Sequence, residues 1–256
     1  MLIASLNQST LVADADVATM TEAIATQVRL DAAPIWDRAP AAVVFYTDPA
    51  TVPATAHGIA IVDTIQDQPQ GLLGFHTEDQ AAQMWGVVAA KPELDNGGQV
   101  TTGDWSVSST LSHEVLEMFI DPACNLWAVN GQGPAYSLEV CDPVEAPAYP
   151  VPVNGVSVSV SNFVFPSWFD PQGTAPFDKL GQVNAPFIIA AGGYANYVQG
   201  GQFTVAAGGY ATYVHGGSQM QQQFGTTYPG WRKTMKSPGT AGPMARSQRI
   251  LGLWHT

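Results

Sequence analysis

Apolar side chains between Leu111 and Ile120 cover nearly the whole circumference of a helix: Leu111, Val115, Leu116, Met118, Phe119 and Ile120 fall on several faces. Within that surround, His113, Glu117 and Asp121 stand at i, i+4 and i+8 along one stripe. Glu114 lies about 100° round from His113. Asp104 or Ser106 starts this helix, and Asp121-Pro122 ends it. Burying imidazole and carboxylate is costly unless they are paired. The stripe therefore points to a bound cation, or else to a structural row of His–Glu hydrogen bonds.

Upstream, residues 2–6 read as a short strand. Asp14 or Asp16 N-caps a helix whose Val17, Met20, Ile24 and Val28 recur three to four apart, with Thr19 and Glu22 as a weaker capping box. That helix is expected to stop before Pro34, because the residue ahead of a proline is pushed out of helical geometry. Residues 42–46, 59–63 and 71–76 are strand-like runs bounded by turn residues, and 84–89 follows as a hairpin partner and expected edge strand. Residues 91–103 read as a loop. The order β-α-β-β-β-β-α predicts an α+β fold, a twisted sheet under two main helices.

Beyond Pro122, proline, glycine, asparagine and aromatics dominate, and no helix longer than a turn or two is expected. Residues 155–165 alternate with period two, as a strand with one apolar face does. Ala190-Ala191-Gly192-Gly193-Tyr194-Ala195-Asn196-Tyr197-Val198 returns 16 positions later as Ala206-Ala207-Gly208-Gly209-Tyr210-Ala211-Thr212-Tyr213-Val214. Two copies are too few for a solenoid, so the repeat reads as a duplicated strand-turn unit, a hairpin or meander addition, and a candidate interaction surface. Arg232, Lys233, Lys236, Arg246 and Arg249 stand among Gly, Pro and Ser in a polar tail. It is either a solvated linker or the lead-in that docks residues 250–254 on an acidic body or a neighbouring subunit. Three parts result: 1–170 as the main domain, 171–231 as an irregular, β-rich Gly/Tyr addition, and 232–256 as an extended tail.

Of the 256 residues 46% are hydrophobic and 12% charged, which supports a sizeable core. The net charge of −12, with no basic cluster before the tail, argues against nucleic-acid binding. No apolar run is long enough for a membrane span, and the N-terminus lacks the basic and apolar regions of a signal peptide. A cytoplasmic location is expected. Free thiols are then the default for Cys124 and Cys141, with a disulfide as the alternative.

His113-Glu114-x-x-Glu117 resembles the zinc helix H-E-x-x-H with a carboxylate in place of the second histidine. His113 and Glu117 are the expected ligands and Glu114 the expected base. Zinc is the expected ion, and the carboxylate opens the site to Mn²⁺ or Ca²⁺. Glu139 is the first choice as third ligand, with Asp142 as a further ligand or a partner that orients one. Asp121 is either a ligand or a cap, and Cys141 a soft ligand or a buried small side chain. His76, at a strand end beside a turn, reads as a satisfied or exposed side chain. His57, His215 and His255 carry no signal, and neither a G-x-S-x-G elbow nor a phosphate-binding glycine loop is present.

Ser112-His113-Glu114-x-x-Glu117-x-x-x-Asp121-Pro122, Trp127 and Glu139-x-x-Asp142 together resemble a group of zincin-like metallopeptidases of phages and bacteria. A more distant likeness is to the plant phosphate-induced, exordium-type proteins. Residues 71–76, the Ala33-Pro34-Ile35-Trp36 turn and residues 160–164 extend the likeness over roughly residues 1–170. The resemblance implies a zincin-like mixed sheet, His113, Glu117, Glu139 and Asp142 about a metal, and Glu114 as catalytic base acting on a peptide or protein substrate. The competing expectation is a non-catalytic structural or adhesive protein, such as a virion component, whose metal site only staples a loop. Its partners would be further copies of the chain or other virion proteins. The 16-residue duplication and the Gln-rich Gln219-Met220-Gln221-Gln222-Gln223 favour that class.

Overall fold

Strand β1 (Leu2–Asn7) and β3 (His57–Val62) are nearly continuous apolar runs, the pattern of strands covered on both faces. The computed structural model describes residues 1–66, 72–78, 83–131, 133–205, 210–213 and 220–226. With β2 (Ala42–Tyr46), β4 (Gly74–Glu78) and β5 (Met84–Ala89) these strands form one sheet in the order β2-β1-β3-β5-β4. Neighbours are parallel except β4, which runs antiparallel to β5 in the register His76↔Gly86. The strands at the edges are therefore β2 and β4, and β5 is interior. The expectation of an edge at 84–89 fails because β3 claims the other side of β5.

Helix α1 (Asp14–Gln27) has Ala13 as its N-cap without a side-chain cap bond, and Asp14 and Asp16 stand in its first turn. There they favour the positive end of the helix dipole instead of capping it. The helical path does not stop before Pro34. A π-turn over Val28–Ala32 leads into a short α2 (Ala33–Ile35) that contains Pro34. The Ala33 N–H reaches back to the Val28 carbonyl, five residues away, and this wider pairing leaves a place where proline's missing N–H costs nothing. Residues 91–95, expected in a loop, belong to α3 (Ala90–Asp95), which carries an i,i+4 pair of Lys91 with Asp95 at 2.9 Å.

Helix α4 (Val107–Ile120) starts where the sequence places it. Ser106 accepts the Ser109 N–H at 3.2 Å and Ser109 answers with a bond to the Ser106 N–H. All of its residues except Thr110 are buried. One side packs on β4 and β5, and another on β9 (Val156–Ser161), which forms an antiparallel hairpin with β8 (Ala148–Val153). Ser112 ties these layers together: its hydroxyl donates to Gln27 Oε1 at 2.7 Å and accepts the Ser161 N–H at 3.0 Å.

A second sheet starts with the hairpin of β6 (Leu126–Val129) and β7 (Ala135–Ser137). Strand β10 (Tyr194–Val198) joins β7, and β12 (Ala211–Tyr213) joins β6. The outer places fall to β11 (Phe203–Val205) and β13 (Gln221–Phe224), giving β11-β12-β6-β7-β10-β13. Among the described residues, the two copies of the duplicated unit thus flank one hairpin on opposite sides and do not pair with each other. Residues 206–209 and 214 of the second copy, residues 215–219 and the tail from 227 lie outside the described residues.

Candidate metal centre

The stripe on α4 faces the loop between β7 and β8, which the second sheet and the segment after β9 hold in place. Leu138 N–H bonds to the Leu126 carbonyl, and Val164 N–H to the Val140 carbonyl. A 3-10 turn at Asp142–Val144 then turns Asp142 inward. His113 Nε2 lies 3.2 Å from Glu117 Oε1 and 3.2 Å from Asp142 Oδ1. Glu117 Oε1 also accepts the Cys141 N–H at 3.1 Å, which fixes the carboxylate's rotation. His113 is 9% exposed, Glu117 2% and Asp142 0%. Glu139 joins from the partly buried side: one oxygen each of Glu117, Glu139 and Asp142 lies within 4.8 Å of the other two. The four residues expected as ligands are thus gathered around Glu117, with Asp142, the second choice in the sequence, directly against His113.

Glu114 faces His76, a neighbour it shares with Glu117. Its Oε2 is 3.5 Å from His76 Nδ1 on β4, and Glu117 Oε2 is 3.9 Å from the same nitrogen. His76 is buried, and its Nε2 stands 3.1 Å from the Asp121 carbonyl oxygen. An oxygen that only accepts makes Nε2 the donor and leaves Nδ1 facing the two glutamates. His76 is therefore satisfied at one nitrogen, as the sequence suggests, but it belongs to the site at the other. Its signal was alternation: in β4, Phe75 and His76 fall on opposite faces, so one of them had to meet α4. Gly74 opens room beside it, since a Cβ there would come within 2.7 Å of Glu114 Oε1.

Asp121 acts as a cap. Its two side-chain oxygens accept the N–H groups of Asn125 at 3.2 Å and Leu126 at 2.8 Å, and burial raises its pKa to about 6 against those bonds. Cys124 and Cys141 are separate thiols. One donor atom each of His113, Glu117 and Cys141 also lies within 4.8 Å of the others.

The duplicated unit reaches this site as well. A Cβ on Gly193 would come within 2.4 Å of the Pro143 carbonyl oxygen and 2.8 Å of that of Asp142. The next residue, Tyr194, is partly buried; burial first, then the charges of Asp142, Glu145, Glu139 and Glu117, hold its pKa well above the usual phenol value. It presents a neutral hydroxyl to the carboxylates.

Burial alone would lower the pKa of His113, but the charge of Glu117 and hydrogen bonds with Asp142 and Glu117 raise it well above 6.5. His76 shows the same balance: burial lowers its pKa, and Cys124, Glu114 and Glu139 raise it well above 6.5. Cys124 has its own pKa pushed up to about 11 by burial. Without a metal, each imidazole holds a proton where a cation would sit.

These distances fit a cation. Donors about 2.1 Å from a common ion in a tetrahedral site stand ~3.4 Å apart, close to the 3.2 Å separations at His113. The set of nitrogen and carboxylate oxygen suits zinc and manganese alike. Compared with known proteins, the chain matches no family model, no curated protein and no solved structure. Among the described residues no helix is long and apolar enough to cross a membrane.

Proposed function

We propose that the chain is a divalent-cation-dependent hydrolase of zincin type acting on peptide bonds, with zinc as the first candidate. His113, Glu117 and Asp142 would hold the ion, with Glu139 completing or replacing one of them. The observation that carries this reading is the buried His113 nitrogen set equally, at 3.2 Å, between carboxylates from α4 and from the 142–144 turn. Hydrogen bonds to the site's outer side, such as Cys141 N–H to Glu117, are what orient metal ligands elsewhere. A bound cation supplies Lewis acidity, polarising a carbonyl and acidifying water. Glu114 would take one proton from the water that attacks the peptide carbon and return it to the departing amine nitrogen. The mixed sheet with an antiparallel edge strand, β4, beside α4 also agrees with the zincin resemblance.

The test is metal content of the purified protein beside His113→Ala. One bound ion per chain in the wild type, and its loss in the variant, is the expected result. A wild type that carries no stoichiometric metal and takes up none on addition would overturn the proposal.

A second reading draws on the burial of Glu117 and Asp142: the ion would staple the 142–144 turn to α4 in a structural or adhesive protein. Glu114→Gln separates the two. A hydrolase loses peptide cleavage and keeps its metal, whereas a staple has no cleavage to lose.

A further inference from the structure

We infer that the centre takes a second divalent cation, held by His76, Glu114 and Glu117 on the side of α4 that faces β4. The inference rests on the reading of His113, Glu117 and Asp142 as the first cation position. It starts from Glu117, whose two oxygens face different ways. Oε1 is engaged with His113 and the Cys141 N–H, while Oε2 looks toward His76 at 3.9 Å. A carboxylate so placed bridges two positions.

The second position has its own built-in ligand. His76 is anchored through Nε2 on the Asp121 carbonyl at 3.1 Å, which is how metal-binding imidazoles are held in one tautomer and one orientation. Its Nδ1 is thereby aimed between Glu114 Oε2, at 3.5 Å, and Glu117 Oε2. One donor atom each of His76, Glu114 and Glu117 lies within 4.8 Å of the other two. The 3.5 Å pair already stands at the spacing of about 3.4 Å expected across a tetrahedral ion, and the 3.9 Å pair is about half an ångström longer.

The two positions are distinct. Of the three donor groups within that span among the described residues, two contain a histidine, none contains both, and all contain Glu117. Charge favours double loading too. Glu114, Glu117, Glu139 and Asp142 bring four carboxylates to one largely buried place, and two divalent cations balance four negative charges where one leaves half of them. Ions sharing a bridging carboxylate would stand about 3.5–4 Å apart.

The consequence for the proposed chemistry is inhibition by excess metal. Singly loaded, the site keeps Glu114 as a base. Doubly loaded, Glu114 becomes a ligand and can no longer accept a proton.

The test is a calorimetric titration of chelator-stripped protein with ZnCl2, for the wild type and for His76→Gln. Glutamine places an amide N–H where Nε2 meets Asp121 and removes Nδ1. Two equivalents in the wild type and one in His76→Gln is the expected result. One equivalent in both, with unchanged affinity, overturns the second position and leaves the first reading intact. No binding in the wild type overturns both, and two equivalents in both place the second ion elsewhere. A measurement on the wild type alone guards against misfolding of the variant: protein loaded with two equivalents of Mn²⁺ should show exchange-coupled paramagnetic resonance. Signals of two isolated Mn²⁺ ions would refute the bridge.

Discussion

Gly193→Ala tests whether the duplicated Gly-Gly-Tyr unit supports the proposed metal centre. The added Cβ would stand 2.4 Å from the Pro143 carbonyl oxygen, 2.6 Å from its carbon and 2.8 Å from the Asp142 carbonyl oxygen. All three are backbone atoms, so no side-chain rotation relieves the overlap, and either β10 or the 142–144 turn must move. Overpacking of this kind costs about 1–3 kcal/mol, and backbone partners place the variant toward the upper end. Replacing glycine stiffens the unfolded chain and returns ~0.4–1 kcal/mol. A net loss of about 2 kcal/mol corresponds to a Tm lower by roughly 4–8 °C for a chain of this size. Movement of the turn also displaces Asp142 from His113, so metal affinity should fall by about 10- to 100-fold, as when a ligand's support is removed. Differential scanning calorimetry of chelated protein reads the first effect, and competition with a chromogenic chelator reads the second. A variant with wild-type Tm and wild-type affinity would refute the placement of Gly193 against Asp142 and Pro143.

Other substitutions separate architecture from chemistry. Ser112→Ala removes the donor to Gln27 and strands the Ser161 N–H in the core; denaturant unfolding should show a loss of about 1–3 kcal/mol, with metal stoichiometry unchanged. Ser106→Ala deletes the cap of α4 and should cost about 0.5–2 kcal/mol in the same assay. Tyr149 donates to Asp31 at 2.8 Å and accepts from Gln27 at 3.0 Å, and burial, then the Asp31 charge, hold its pKa well above 10.0. Because the folded pKa is the higher one, the stability linked to this hydroxyl is complete below pH 10 and drains away as pH rises toward the folded value. Unfolding free energy should therefore fall more steeply above pH 10 in the wild type than in Tyr149→Phe; equal slopes would count against this role.

Much of the helix that carries the site is legible in the sequence, since capping at Ser106, the break at Asp121-Pro122 and the polar stripe are all local signals. So is the partnership with Glu139-x-x-Asp142, though not the order of its members. Which carboxylate meets His113 depends on a 3-10 turn held by β10 and by the Ala190 N–H on the Pro143 carbonyl, contacts far apart in sequence. His76 was obscured for the same reason: it becomes a site residue only through β4–β5 pairing and the packing of both strands on α4. Helical continuation through Pro34 was hidden by a π-turn, which obeys no simple residue preference. The 16-residue repeat was visible as a repeat, but not its placement on either side of the β6–β7 hairpin, because equal copies pair equally well with each other or with a third element.

The most direct measurement of the central claim is anomalous X-ray diffraction at the zinc edge, from crystals of the zinc-loaded protein. The account requires a peak within about 2.0–2.2 Å of His113 Nε2 and of oxygens of Glu117 and Asp142. Zinc found only on surface carboxylates, with His113 still hydrogen-bonded between Glu117 and Asp142, would contradict it.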